Sequence, residues 1–242
     1  MKNWMWSVSV FIITVAVVFL SGLSAFWIYL IVIPGLIFLF IQVSFMYSFR
    51  ESLKPEEIPR YGYDSRTKET ERRMRGLPAG FRLTDKFYLK GIPDSVTYVF
   101  FHEPEPVICC IYNFGTKLAV DFVTLYNDGF TLTTNDTLDA GMAPRPMKNF
   151  IQLFPGLPYE KLYNNHMNSH LYLLEKGLKP MYIHPGEFRH YFMSEYRAQG
   201  NFIRQIPFWP FILLFRTVTK YGRKYDRPLR KQVEEGITNI YP

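Results

Sequence analysis

Between residues 3 and 49 the sequence holds not one Asp, Glu, Lys or Arg, whereas every later stretch of similar length carries several. As a single helix at about 1.5 Å per residue such a run would measure about 70 Å, against a bilayer hydrocarbon core of about 30 Å. The tract therefore reads as two crossings joined by a tight turn, and Ser21, Gly22, Leu23 and Ser24 supply the small, permissive residues for it. The spans fall near residues 4–20 and 25–48. A break at Pro34 and Gly35 would leave too few residues for the second crossing, so Pro34 reads as a kink. Trp4 and Trp6 at one end, with Trp27 and Tyr29 near the other, suit the interfacial aromatic belt. The alternative for the first span is a cleaved signal peptide, with Lys2, an apolar stretch and Gly22-Leu23-Ser24 as its processing site. The second span stands in either case.

Charge then indicates a side. Residues 50–90 carry eleven basic against seven acidic side chains, residues 91–200 eight against eleven, and residues 201–242 eight against three. Lys and Arg beside a span favour the cytoplasmic side. The pI of about 9.3 is thus better explained by anionic lipid head groups than by nucleic acid, which would need a basic, aromatic-interleaved face in the middle of the domain. Cys109 and Cys110 are adjacent, point to opposite faces of a strand and make poor disulfide partners, in keeping with a reducing compartment. The triplet Asn135-Asp136-Thr137 matches a glycosylation sequon, a pattern that often arises by chance.

With 242 residues the chain has room for one domain beside the membrane segment. The reading divides it into a transmembrane helical hairpin over 1–49, a basic juxtamembrane linker over 50–79 and a cytoplasmic α+β domain over 80–242. Strands are expected at 95–101, 106–113, 117–126 and 130–134, rich in β-branched and aromatic residues. Asn127-Asp128-Gly129 is the strongest turn signal, because its residues accept the positive φ that a tight hairpin requires. Together they form an antiparallel meander. The period then changes to 3.6. A helix is expected over 159–176, with Pro158 at its start and Gly177 and Pro180 as its stop, and a second over 185–199, ended by Gly200. Helices after a meander imply packing on one face of the sheet. The last apolar segment, 206–215, is too short to span. With Trp209, Arg216 and Lys220 it reads as an interfacial helix within 206–222, or as a core helix closing the domain.

Candidate chemistry is sparse. His166 and His170 stand four apart on one helix face, where two imidazoles can share a metal. Met167 stands where HExxH needs Glu, so a hydrogen-bonded core role is the simpler reading. His102, Glu103 and Glu105 offer acid and base groups, but Pro104 places them in a turn. Asp128 has a turn explanation. The threonines at 131, 133, 134 and 137 suggest a solvated strand face, and Cys110, set among apolar residues, an inert buried thiol. There is no Walker loop, dinucleotide fingerprint, GxSxG or zinc quartet, and no cofactor is indicated. The leading expectation is a membrane-anchored cytoplasmic binding or accessory module. Its partners would be a bilayer with anionic head groups and a protein or second copy reached through the hairpin. The alternatives are an enzyme acting on a lipid or peptide at the membrane surface through His102, His166 or His170, and a subunit of a membrane transport complex.

Overall fold

The computed structural model describes residues 80–89, 95–114, 117–146, 148–206 and 209–240, together with 16, 30, 33–41, 55 and 56. The domain is α+β. Its sheet runs in the order β1-β2-β3-β4-β5-β6-β7. The strands are β1 (Pro55–Glu56), β2 (Phe81–Leu89), β3 (Ser95–His102), β4 (Ile108–Asn113), β5 (Leu118–Leu125), β6 (Thr131–Asn135) and β7 (Asn149–Leu153). The meander expected from sequence is its centre. β1 to β6 pair antiparallel in succession, and β7 lies parallel to β6 after a long crossover. β1 comes from the segment read as a linker and lies across the end of β2. At the hairpin between β5 and β6, Asp128 and Gly129 take φ of 64° and 75°, the left-handed values that the Asx-Gly pair anticipates.

The helices are α1 (Tyr159–Glu175), α2 (Pro185–Gln205), α3 (Trp209–Val218) and α4 (Leu229–Glu234). α1 stops as expected: Gly177 adopts φ 88°, and the Leu178 N–H reaches back to Leu173 O at 3.1 Å, closing the helix in a left-handed cap. α2 does not stop at Gly200 but continues to Gln205. Gly200 is itself buried, and the added turn buries Ile203 to 2% exposure, which offsets the roughly 1 kcal/mol that a mid-helix glycine costs. α3 is shorter than the 206–222 expected.

The expectation that the helices share one face is corrected. Val96, Tyr98, Phe100, Cys109, Ile111, Val120 and Phe122 pack with Leu162 and Tyr163 of α1. Val99, Ile108, Cys110 and Leu125, from the opposite side of the sheet, pack with Phe188 and Met193 of α2. Successive strand residues point to opposite faces, and β3 buries six in a row from its start, so both faces need a cover. Beyond the meander a third cluster joins Leu132 and Phe150 to Leu173 and Leu229. The outer edge of β7 is blunted by Gln232 of α4, whose Nε2 donates to Ile151 O at 2.8 Å.

The two spans read at 4–20 and 25–48 lie mostly outside the described residues, as do Trp4, Trp6, Trp27 and Tyr29. Residues 33–41 are helical. Among the described residues no helix is long and apolar enough to cross a membrane.

Candidate functional site

On the α1 face the sheet and α1 enclose a polar network centred on His166, which is fully buried. Its Nε2 lies 2.9 Å from Thr124 Oγ1 and its Nδ1 2.8 Å from Thr134 Oγ1. Proton positions follow from the backbone groups at the far end of the network. The Gln152 amide is oriented by the Leu229 N–H, which donates to Oε1 at 3.1 Å, and by Asn165 O, which accepts from Nε2 at 3.2 Å. Ser169 Oγ also donates to that Oε1, at 2.8 Å. Gln152 Nε2 therefore donates to Thr134 Oγ1 at 2.7 Å. Thr134 and Thr124 thus face the two ring nitrogens of His166, one hydroxyl donating to the bare nitrogen and the other accepting from the N–H. Burial, with a further push from His170, drives the imidazole pKa down to about 3, so the ring is neutral and both nitrogens are committed.

His170, 2% exposed, holds its Nδ1 2.8 Å from the Tyr126 hydroxyl. Burial raises the Tyr126 pKa, so the phenol stays protonated. Burial lowers the His170 pKa while Glu105 opposes the shift. His102 packs its ring 4.7 Å from Phe81 and 5.6 Å from Tyr163. Tyr163 and Phe122, whose rings lie 5.5 Å apart, stand between it and His166, 6.1 Å beyond Phe122. The three histidines are thus strung along one layer rather than gathered. His166 has no lone pair free for a metal, and among the described residues no group of three or more His, Cys, Asp or Glu is placed to hold one. Glu103 is paired with Arg82 at the surface, at 2.7 Å. The threonines depart from the expected solvated face: Thr134 is fully buried and Thr131 7% exposed. Cys109 and Cys110 are free and buried, on opposite faces, and burial pushes both thiols up.

The α2 face holds a cluster that the sequence reading missed. Cys110, Asp121 and Asn135 are in register across β4, β5 and β6. Asn135 Oδ1 accepts from the Thr137 N–H and hydroxyl, which turns its Nδ2 onto Asp121 Oδ1. Asn135 is 3% exposed, so its sequon is occupied by the fold. Burial pushes the Asp121 carboxyl up to about 7, against hydrogen bonds from Asn135 and Tyr112 and the attraction of Arg145. Burial likewise brings Arg145 down to about 10, and its Nε has no hydrogen-bond partner. A lone aspartate in the middle of the apolar strand 118–125 was the available signal.

Arg145 leads to a basic corner formed by the end of α3 and the 3-10 turn Tyr221–Tyr225. The Arg216 guanidinium lies 4.5 Å over the Tyr221 ring and its Nη1 3.4 Å from Met142 O. Lys224 Nζ sits 4.0 Å over Tyr221 and 4.7 Å over Tyr225, and its hydrogen bond to the Tyr221 hydroxyl lowers the phenol pKa. A close approach of backbones holds the turn in place: a Cβ on Gly222 would meet Leu138 O at 2.6 Å. Of the interface residues read from sequence, Trp209 is 2% exposed, buried by the rest of the chain rather than free to reach head groups. Arg216 is half-buried, and Lys220 is exposed. Among the described side chains of α3, Phe215 and Val218 are apolar and left open, 64% and 73% exposed. Among the described residues no carboxylate pairs with Arg216, Lys220, Arg223 or Lys224. Such a corner suits the binding of anions.

No family model matches the chain, no curated protein matches it, and no solved structure matches it at a significant level.

Proposed function

We propose that the chain is a membrane-tethered domain on the cytoplasmic side that works by binding, as an interaction or accessory module held at the bilayer by an N-terminal helical hairpin. One observation carries the tether. Ile33, Leu36, Ile37, Phe40 and Ile41, all on one side of the helical stretch 33–41, are 44–72% exposed. A helix in water turns its polar side outward, and this one turns outward a side without a polar atom. Lipid is the medium in which that arrangement is stable, and the uncharged tract around it has the length for two crossings. The excess of Lys and Arg after residue 49 supports the cytoplasmic side. The binding role draws support from His166, whose two ring nitrogens are both engaged by threonine hydroxyls, which removes one of the three histidines that the rival surface enzyme would draw on.

Topology is open to a clean test because both native thiols are fully buried. With Glu234→Cys, on the exposed surface of α4, a membrane-impermeant maleimide should label the protein only in inverted vesicles. Labelling of intact cells would place the domain on the other side. Removing residues 1–49 should release the domain, or leave attachment that salt reverses. A truncated protein that still needs detergent would refute the tether.

A further inference from the structure

We propose that the corner formed by the end of α3 and the turn Tyr221–Tyr225 is a second contact with the bilayer, binding an anionic phospholipid surface through Lys220, Arg223 and the Arg216–Lys224 pair while Phe215 and Val218 enter the acyl boundary. This rests on the tethered reading, which brings the domain to a membrane, and it names what the free surface of the domain meets there.

Four observations converge on it. Phe215 and Val218 are three apart on a helix, so they share a side, and they remain 64% and 73% exposed although Trp209, at the start of the same helix, is 2% exposed. The helix thus begins with a buried tryptophan and ends with two apolar side chains uncovered. Around that end the charge has one sign: residues 196–225 contain six Lys or Arg and no Asp or Glu, and Arg216, Lys220, Arg223 and Lys224 have no carboxylate partner among the described residues. Third, Lys220 precedes the turn Tyr221–Tyr225 in the left-handed conformation at φ 51°, so the bend that follows α3 carries a cation where glycine would sit without strain. Finally, Arg216 and Lys224 lie over the Tyr221 ring at 4.5 and 4.0 Å, which restricts two flexible cations before any anion arrives.

The pairing of an uncovered apolar edge with uncompensated cations selects the partner. A small soluble anion would engage the cations but leave the phenylalanine and valine in water. An anionic lipid surface satisfies both, because head-group phosphates meet the cations while the apolar side chains reach the acyl boundary. Trp209 is not part of this contact, contrary to the expectation from sequence.

The test uses the full chain reconstituted in vesicles. Val218→Cys is the one accessible thiol, and a polarity-sensitive fluorophore there reports the surroundings of the corner. In vesicles with about 30 mol % phosphatidylserine its emission should shift to the blue and be quenched by lipids carrying a nitroxide in the acyl chain. Neutral phosphatidylcholine vesicles should give neither, and raising salt to about 0.5 M should reverse both effects. Lys220→Glu with Arg223→Glu should cut the quenching by about five-fold or more. Phe215→Ser, which keeps every charge, should also reduce it. A label equally exposed and unquenched in neutral and anionic vesicles would overturn the proposal, and so would a full shift produced by inorganic phosphate without lipid quenching. Carbonate extraction separates the two readings. A chain stripped from vesicles by carbonate has lost its tether argument, whereas a chain that stays embedded with a lipid-blind label has lost only the corner.

Discussion

At the level of single residues, the same chemistry takes opposite roles on the two sides of one sheet. His166 is kept neutral by burial, with a further push from His170, while two threonine hydroxyls engage its ring nitrogens and Gln152 bonds to one of them. Nitrogen-detected NMR should show a single neutral tautomer for His166 at pH 5, since its pKa is pushed down to about 3; titration near the ordinary histidine value would refute the network. Asp121 moves the other way. Its folded-state pKa of about 7 lies above the ordinary 3.8, so the native protein binds the extra proton and ionisation works against folding. The destabilisation accumulates as pH rises from about 4 to about 7 and is then constant. Asp121→Asn, which keeps a carbonyl oxygen for Asn135, should match the wild type near pH 4 and be more stable at pH 8 by on the order of 2–4 kcal/mol. Denaturant melts at the two pH values would check the sign. Histidine spacing drew attention to 166 and 170 in the sequence, but nothing local marked Gln152 or Arg145, because their roles come from neighbours far along the chain.

Secondary-structure elements were legible where their ends are chemically marked. The Asn127-Asp128-Gly129 turn and the Gly177 stop of α1 lie where their residues predict, since both depend on positive φ at an identified position. β2 and β7 were not anticipated: Arg82, Asp85 and Lys86 disguise the first, and the second has only five residues. The turn Tyr221–Tyr225 is placed by contact rather than by propensity. A Cβ at 222 would collide with a backbone carbonyl at 2.6 Å, which no side-chain movement relieves. Gly222→Ala should therefore lower stability by about 1–3 kcal/mol and loosen the basic corner with it, readable as a lower thermal midpoint with unchanged far-UV dichroism. An unaffected midpoint would mean that the turn is free to move away from Leu138.

For the molecule as a whole, the decisive feature is a sheet covered on both faces. β3 reads as a nearly continuous apolar run, the pattern of a strand buried twice, and taking the helices to one side overlooked that signal. With α1 over one face and α2 over the other, each face gains its own polar cluster, fully buried around His166 and partly buried around Asp121. The last quarter of the chain then runs from α2 through α3 to α4, closing the β7 edge with Gln232 and leaving the α3 end outward. The proposed membrane tether and the proposed lipid contact of the cationic corner belong to this scale, since both concern how an apolar surface would be met by another phase.

The amino-acid sequence alone established the long uncharged tract, the strand-to-helix change of period and the marked turns, because periodicity and positive-φ residues act over a few neighbouring positions. Only the tertiary structure decided that the helices divide between two faces, that His166 is locked by threonines, that Asp121 is half-buried within the field of Arg145 and that Trp209 turns inward. Those outcomes depend on strand register and close approach between residues distant along the chain, and the burial of a polar or aromatic side chain is settled by what packs over it.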